Sequence, residues 1–275
     1  MFLCVCNAVG RLIHKLPRAN WVMGITSLDN QLYLLRHFKT SEQVEVYDID
    51  SYHLLHCLTV PGLEKYSACD IVACRHNRCA YISDSYHLHT CVHRVALSDA
   101  TVTQWPVNDT PDTLSLTLRH GVLVTCQKAR KIKEFSTDGE LLHVITVPYE
   151  EPRHAVQLCS GQFIVCEGTC ICLRGSDGSY IKGFRGPLSS DSERMHEPLH
   201  VAVDRNDFVF VIDSRPNNSL FLLSPSLTYM RDAASPKGPY WEPERVYLDC
   251  DRGRVYVAEN DCDGDTCGQV YVFSA

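Results

Sequence analysis

Pro198-Leu199-His200-Val201-Ala202-Val203-Asp204, Val209-Phe210-Val211-Ile212-Asp213 and Leu220-Phe221-Leu222-Leu223 place three apolar runs within 26 residues. Each run is strand-length, rich in β-branched and aromatic residues, and bounded by polar or turn-forming residues, which reads as three successive strands. The middle run recurs through the chain. Its counterparts end at Arg36, Asp84, Cys126, Glu167, Asp213 and Glu259, with gaps of 48, 42, 41, 46 and 46 residues. Repeats of about 40–50 residues, each a small sheet unable to bury its faces alone, stack into a β-propeller. Six of them occupy nearly all of the 275 residues. The expected fold is therefore all-β, a single six-bladed β-propeller with blades near 19–62, 63–108, 109–149, 150–190, 195–238 and 240–275 plus 10–17.

Within each repeat the strands follow one order. A first strand, a, often starts at a proline: Pro111, Pro152, Pro198 or Pro243. Proline suits that place because it needs no ladder donor at a strand start. The recurring run is strand b, and strand c follows in Val44–Tyr47, Cys91–Val95, Ile132–Phe135, Cys170–Leu173, Leu220–Leu223 and Val270–Phe273. Asp138-Gly139 and Asp177-Gly178 read as hairpin turns into strand d. The sixth repeat ends at Ala275 without a strand d. Gly10-Arg11-Leu12-Ile13-His14-Lys15-Leu16 resembles Gly139-Glu140-Leu141-Leu142-His143-Val144, so Leu12–Leu16 is expected to pair with Val270–Phe273 and close the ring. Residues 2–6 read as a surplus strand.

Composition limits the function classes. A net charge of −7 argues against a dedicated nucleic-acid protein. No run of about 18 apolar residues is present, so no membrane span is expected, and the opening residues lack the pattern of a signal peptide. Fifteen scattered cysteines, many on strands, fit a mostly reduced cytoplasmic protein in which they serve as small buried hydrophobes. A monomer is expected.

The stretch Pro198 to Leu223, with Val246-Tyr247-Leu248-Asp249 and Val255-Tyr256-Val257-Ala258-Glu259-Asn260 in the last repeat and Tyr81-Ile82-Ser83-Asp84 in the second, resembles the NHL repeat. The specific match covers about a third of the chain, the periodicity nearly all of it. The resemblance implies a six-bladed propeller of the kind found in tripartite-motif proteins, binding partners or structured RNA. It implies no ligase activity, since no Cys-x-x-Cys pair of a RING occurs. Related six-bladed propellers include metal-dependent lactonases and esterases.

The strand-b ends Arg36, Asp84, Cys126, Glu167, Asp213 and Glu259 are expected to ring one mouth of the channel. For Asp84 and Asp213 the alternative is a structural one, capping of the b–c loop by accepting backbone N–H groups. Together with His37, Phe38, Tyr86, Lys128, Arg215 and Asn260, these residues form the expected partner-binding face; Tyr240 and Trp241 are further aromatic candidates, and Trp241 equally reads as a wedge between blades. The leading expectation is non-catalytic recognition of a protein or peptide, with no cofactor and no metal. Two other readings stay open. Lys128, Arg130, Lys131 and Lys133 form a basic run suited to RNA phosphates. Glu167, Asp213, Glu259 and Asn260 offer oxygen ligands for a calcium-dependent lactonase-like enzyme. The acidic stretch 260–268 lacks the glycine and glutamate positions of an EF-hand and reads as a surface loop that Cys262 and Cys267 are able to bridge. His87, His89 and His93 read as surface residues lacking a third ligand.

Overall fold

The computed structural model describes residues 10–38, 42–63, 67–86, 89–148, 150–186, 195–214, 218–234, 241–260 and 267–274; the side chains of Tyr86 and His89 are outside this description. The described residues form strands and turns and contain no helix long and apolar enough to cross a membrane. The N-terminal strand is Leu12–Lys15 (β1). Blade 1 holds Trp21–Leu28 (β2), Gln31–His37 (β3), Glu42–Asp48 (β4) and Leu54–Leu58 (β5). Blade 2 holds Ala68–Cys74 (β6), Cys79–Tyr86 (β7), His89–Ala96 (β8) and Val102–Pro106 (β9). Blade 3 holds Thr113–Leu116 (β10), Val122–Cys126 (β11), Lys131–Phe135 (β12) and Leu141–Thr146 (β13). Blade 4 holds Pro152–Gln157 (β14), Phe163–Glu167 (β15), Cys170–Arg174 (β16) and Tyr180–Phe184 (β17). Blade 5 holds Pro198–Val203 (β18), Val209–Asp213 (β19), Ser219–Leu223 (β20) and Tyr229–Ala234 (β21). Blade 6 holds Pro243–Asp249 (β22), Arg254–Glu259 (β23) and Gln269–Ser274 (β24), completed by β1.

The burial pattern explains why strand b carries the periodic signal. β11, β15 and β19 are buried at every residue, so both faces select apolar side chains and the run reads as continuous. Strand d is the outer strand and mostly exposed, as in β5 and β17, which leaves it the weakest signal. The Asp-Gly turns before β13 and β17 carry Gly139 and Gly178 at φ +86° and +84°, where a side chain would be strained.

Ring closure follows the expected pairing. β1 lies antiparallel to β24, with Leu12 opposite Phe273, His14 opposite Val272 and Lys15 opposite Tyr271. Leu16 continues the seam, its N–H donating to the Val270 carbonyl at 2.9 Å, and its side chain is fully buried among Val22, Tyr256 and Val272. Further along, Ala19 bridges Gly268. At Gly268 a Cβ would collide with the Asn20 backbone, so only glycine fits that approach.

Among the described residues, six apolar clusters fill the spaces between neighbouring blades. Trp241 packs between blades 5 and 6 beside Phe210 and Val246, the wedge position its sequence context suggests. The cluster between blades 3 and 4 is the smallest: Leu123, Ile132, Ile145, Val147, Ala155, Phe163 and Val165. Residues 2–6, Arg215, Tyr240, His87 and Cys262 lie outside the described residues. Eleven of the described cysteines are free thiols, and Cys267 is disulfide-bonded.

Candidate functional site

Strand a of five blades contains a β-bulge just after its first residues, at Met23, Cys69, Arg153, Leu199 and Glu244. A bulge re-aims the residue that follows it. Those residues, Gly24, Asp70, His154, His200 and Arg245, come from five blades to one end of the central channel; Thr113 takes the same register in blade 3 without a bulge. Asp70, His154, His200 and Arg245 line a channel cavity of 170 Å³, room for about five waters.

Most of this polar ring is occupied in joining blades. Asp70 Oδ2 accepts the Leu114 N–H at 2.8 Å and Oδ1 that of Ile71 at 2.8 Å. Thr113 donates to the Arg153 carbonyl at 2.7 Å. His154 Nδ1 accepts the Val201 N–H at 3.2 Å while Nε2 donates to the Leu114 carbonyl at 3.3 Å, which sets its tautomer. Arg245 donates to the Met23 carbonyl at 2.8 Å, across the seam to blade 1. His200 stacks on His154 with ring centroids 3.7 Å apart, and its Nε2 lies 3.9 Å from Asp70 Oδ2. Its remaining polar contact is a backbone one with Val246.

Both imidazoles are held neutral. Burial drives the His154 pKa well below 6.5, helped by neighbouring His200; burial followed by the Arg245 charge does the same for His200. The unfolded chain then binds protons that the fold does not, so stability is complete above about pH 6.5 and falls as the pH drops below it. Each imidazole contributes a slope of up to about 1.4 kcal/mol per pH unit. Asp70, whose pKa burial raises, takes up its proton earlier when folded and offsets part of the loss at lower pH. Urea titrations between pH 7 and 5 should show the decline, and His200→Gln should flatten it; a pH-independent midpoint in the parent protein would contradict this account.

The strand-b ends are buried, and Arg36, Asp84, Glu167 and Asp213 meet internal partners, which corrects their reading as contacts on a partner-binding face. Arg36 pairs with Glu45 at 2.5 Å and donates to the Asn20 carbonyl at 2.7 Å. Asp84 pairs with His93 at 3.0 Å. Glu167 holds Arg174 through both oxygens, Nη2 to Oε2 at 2.7 Å. Asp213 accepts the N–H groups of His196 and Glu197, at 3.1 and 2.7 Å, so it caps the segment entering its own blade. Glu259 is buried. Asn260 bonds both the N–H and the carbonyl of Val22 across the seam, at 2.8 and 3.0 Å. These carboxylates and the amide face different partners and do not gather as one oxygen cage. His37 pairs with Glu42 at 2.6 Å and stacks near Trp21; Phe38 is half-buried. In the basic run, Lys133 is buried against Asp109 at 2.6 Å and Lys131 reaches the same carboxylate at 3.4 Å, leaving Lys128 and Arg130 as the outer charges. His93 is buried, contrary to its surface reading.

The larger cavity lies elsewhere. A cleft of 660 Å³ opens between blades 3 and 4, where the apolar cluster is smallest. Thr146, Pro148 and Glu150 form one wall; Cys170, Cys172, Arg174 and Tyr180 form the other. The floor is rigid: Arg174 is clamped by Glu167 and donates to the Gly178 carbonyl at 2.8 Å. The Cys172 thiol donates to Cys170 Sγ at 3.4 Å, which with Arg185 lowers the Cys170 pKa. Tyr180 stands at the rim, 61% exposed.

No family model and no curated protein sequence matches this chain. Solved structures do. A streptogramin B lyase superposes with a TM-score of 0.66 at 12% identity, covering 95% of this chain and 85% of that one. A virginiamycin B lyase from Staphylococcus aureus gives 0.64 at 10%, covering 95% and 88%. The WD40 β-propeller domain of Doa1 gives 0.65 at 12%, covering 96% of each. Enzymes and a repeat domain of a different name thus share the disc, and at these identities the likeness establishes the propeller fold alone.

Of the cleft, sequence reasoning singled out only Glu167. The channel ring sits at the second variable position of Pro-x-x-Val, in Pro152-Arg153-His154 and Pro198-Leu199-His200. The recurrence of histidine at that one register was the available signal.

Proposed function

We propose that this chain is a recognition propeller that receives a protein or peptide partner in the cleft between blades 3 and 4. The observation carrying this reading is a 660 Å³ cavity at the interface whose described apolar cluster is smallest, floored by a fixed ion pair. Cavities of this size with a few convergent polar groups are the usual form of a binding site. Tyr180 and Arg185 suit the role of anchors, since aromatic and arginine side chains dominate interface energetics. The NHL-like repeats support the same reading. An RNA partner is less favoured, because half of the basic run is spent on Asp109.

A displayed peptide library selected on the immobilised protein tests the reading. Enriched peptides should lose about 2 kcal/mol of affinity, roughly 30-fold, on Tyr180→Ala. Arg205→Ala, which alters an exposed ion pair with Asp251 between the a–b turns of blades 5 and 6, should leave binding unchanged. Absence of enriched peptides, or equal binding by Tyr180→Ala and Arg185→Ala, would refute it.

A catalytic reading is favoured by one observation, the placing of His200 Nε2 3.9 Å from Asp70 Oδ2 at the channel cavity. In that reading His200 acts as the proton acceptor for a small substrate, and His200→Ala abolishes turnover while the fold persists.

A further inference from the structure

We infer that blade 2 contains a binding site for a zinc-class divalent cation, formed by Asp84, Cys91 and His93 with Gln104 as a fourth donor. Asp84 on β7 lies directly opposite Cys91 on β8, and His93 lies two residues further along β8 on the same face. Gln104 on β9 stands opposite His93. Three strands of one sheet therefore bring a carboxylate, a thiol, an imidazole and an amide oxygen to one point. Asp84, Cys91 and His93 are all buried, and their ligand atoms lie within 4.8 Å of one another.

The distances suit a metal better than a hydrogen-bond network. Asp84 Oδ2 is 3.0 Å and Cys91 Sγ 3.4 Å from the same atom, His93 Nε2. That nitrogen carries at most one hydrogen, so it cannot donate to one neighbour while accepting from the other. Tetrahedral zinc with sulfur, nitrogen and oxygen ligands sets ligand atoms about 3.3–3.6 Å apart, close to this spacing. Gln104 Oε1 sits 4.0 Å from Cys91 Sγ on the exposed outer strand, where a small rotation admits the ion and closes the shell. Charge also balances: a divalent cation neutralises one thiolate and one carboxylate in a buried place, the Cys91 proton leaving to solvent. The mixture of sulfur, nitrogen and oxygen donors points to zinc and its borderline neighbours, and away from calcium or magnesium. The channel cluster of Asp70, His154 and His200 differs, because both Asp70 oxygens and both His154 nitrogens already serve backbone groups.

The test is titration of chelator-treated full-length protein with Zn²⁺, followed by Co²⁺ for its thiolate-to-metal absorption. The expected result is one ion per chain, a raised melting temperature and a charge-transfer band. Cys91→Ser should abolish the band and weaken Zn²⁺ binding by more than the roughly 10–100-fold that follows loss of a supporting partner. Cys170→Ser with Cys172→Ser should leave both unchanged. Should Cys91→Ser fail to fold, Gln104→Glu on the exposed strand decides, since a carboxylate there should tighten binding several-fold. No stoichiometric uptake, a band that survives Cys91→Ser, or an affinity indifferent to Gln104→Glu would overturn the site.

Discussion

A chain lacking residues 1–18 is expected to lose its cooperative melt and elute as aggregate, because removing β1 opens the ring at its one non-sequential seam. Three costs combine there. The β24 ladder loses its partner and becomes an exposed edge able to pair with other chains. The Leu16 side chain leaves a fully buried place among Val22, Tyr256, Val270 and Val272. The backbone bonds from the Leu16 N–H to the Val270 carbonyl and from the Ser274 N–H to the Arg11 carbonyl are lost. The milder Leu16→Ala isolates the packing term and should cost about 2–5 kcal/mol. Supplying residues 10–18 as a separate peptide should restore monomer, as strand addition does at other open sheet edges. Size-exclusion chromatography and calorimetry decide the matter. A truncated chain that stays monomeric with an unchanged melt would show that the seam is not what holds the disc together.

Arg36→Met is expected to destabilise the fold by about 3–5 kcal/mol, the cost of leaving a buried charge without its partner. Arg36 is completely buried, and Glu45, which also accepts the Tyr47 hydroxyl at 2.8 Å, stays behind as an uncompensated carboxylate. Adding Glu45→Leu should recover much of the loss, since an apolar pair of similar volume replaces buried ions at little cost. Recovery should be incomplete, because Arg36 also serves the carbonyls of Asn20 and Gly268, the two segments that meet at the seam. Chemical denaturation of the single and double variants measures both terms. Equal stability of the parent and Arg36→Met would mean that Glu45 finds another partner or is neutral.

These two results separate the legible from the illegible. The six strand-b runs were readable because their residues are buried on both faces, so selection for apolar side chains acts at every position. The pairing of Leu12–Leu16 with Val270–Phe273 was readable from its likeness to the strand after Gly139 and from the missing last strand. The roles of charged residues were not. Arg36, Asp84, Glu167 and Glu259 look in the sequence like loop-face residues, since charge after an apolar run ordinarily meets water. In the structure all four are buried, and strand c supplies the compensating group for three of them: Glu45, His93 and Arg174.

The sequence by itself determined the all-β class, the number of blades, the strand order and the closure, because each depends on apolar periodicity and turn chemistry repeated along one chain. Tertiary structure alone decided which polar side chains meet. Bulges in strand a brought Asp70, His154, His200 and Arg245 from four blades to one cavity, and strand pairing set Asp84 beside Cys91 and His93. The cleft between blades 3 and 4 likewise exists only once two sheets pack with too little apolar bulk between them. Such meetings depend on register and ring geometry, which place residues tens of positions apart within bonding distance and leave no local pattern behind.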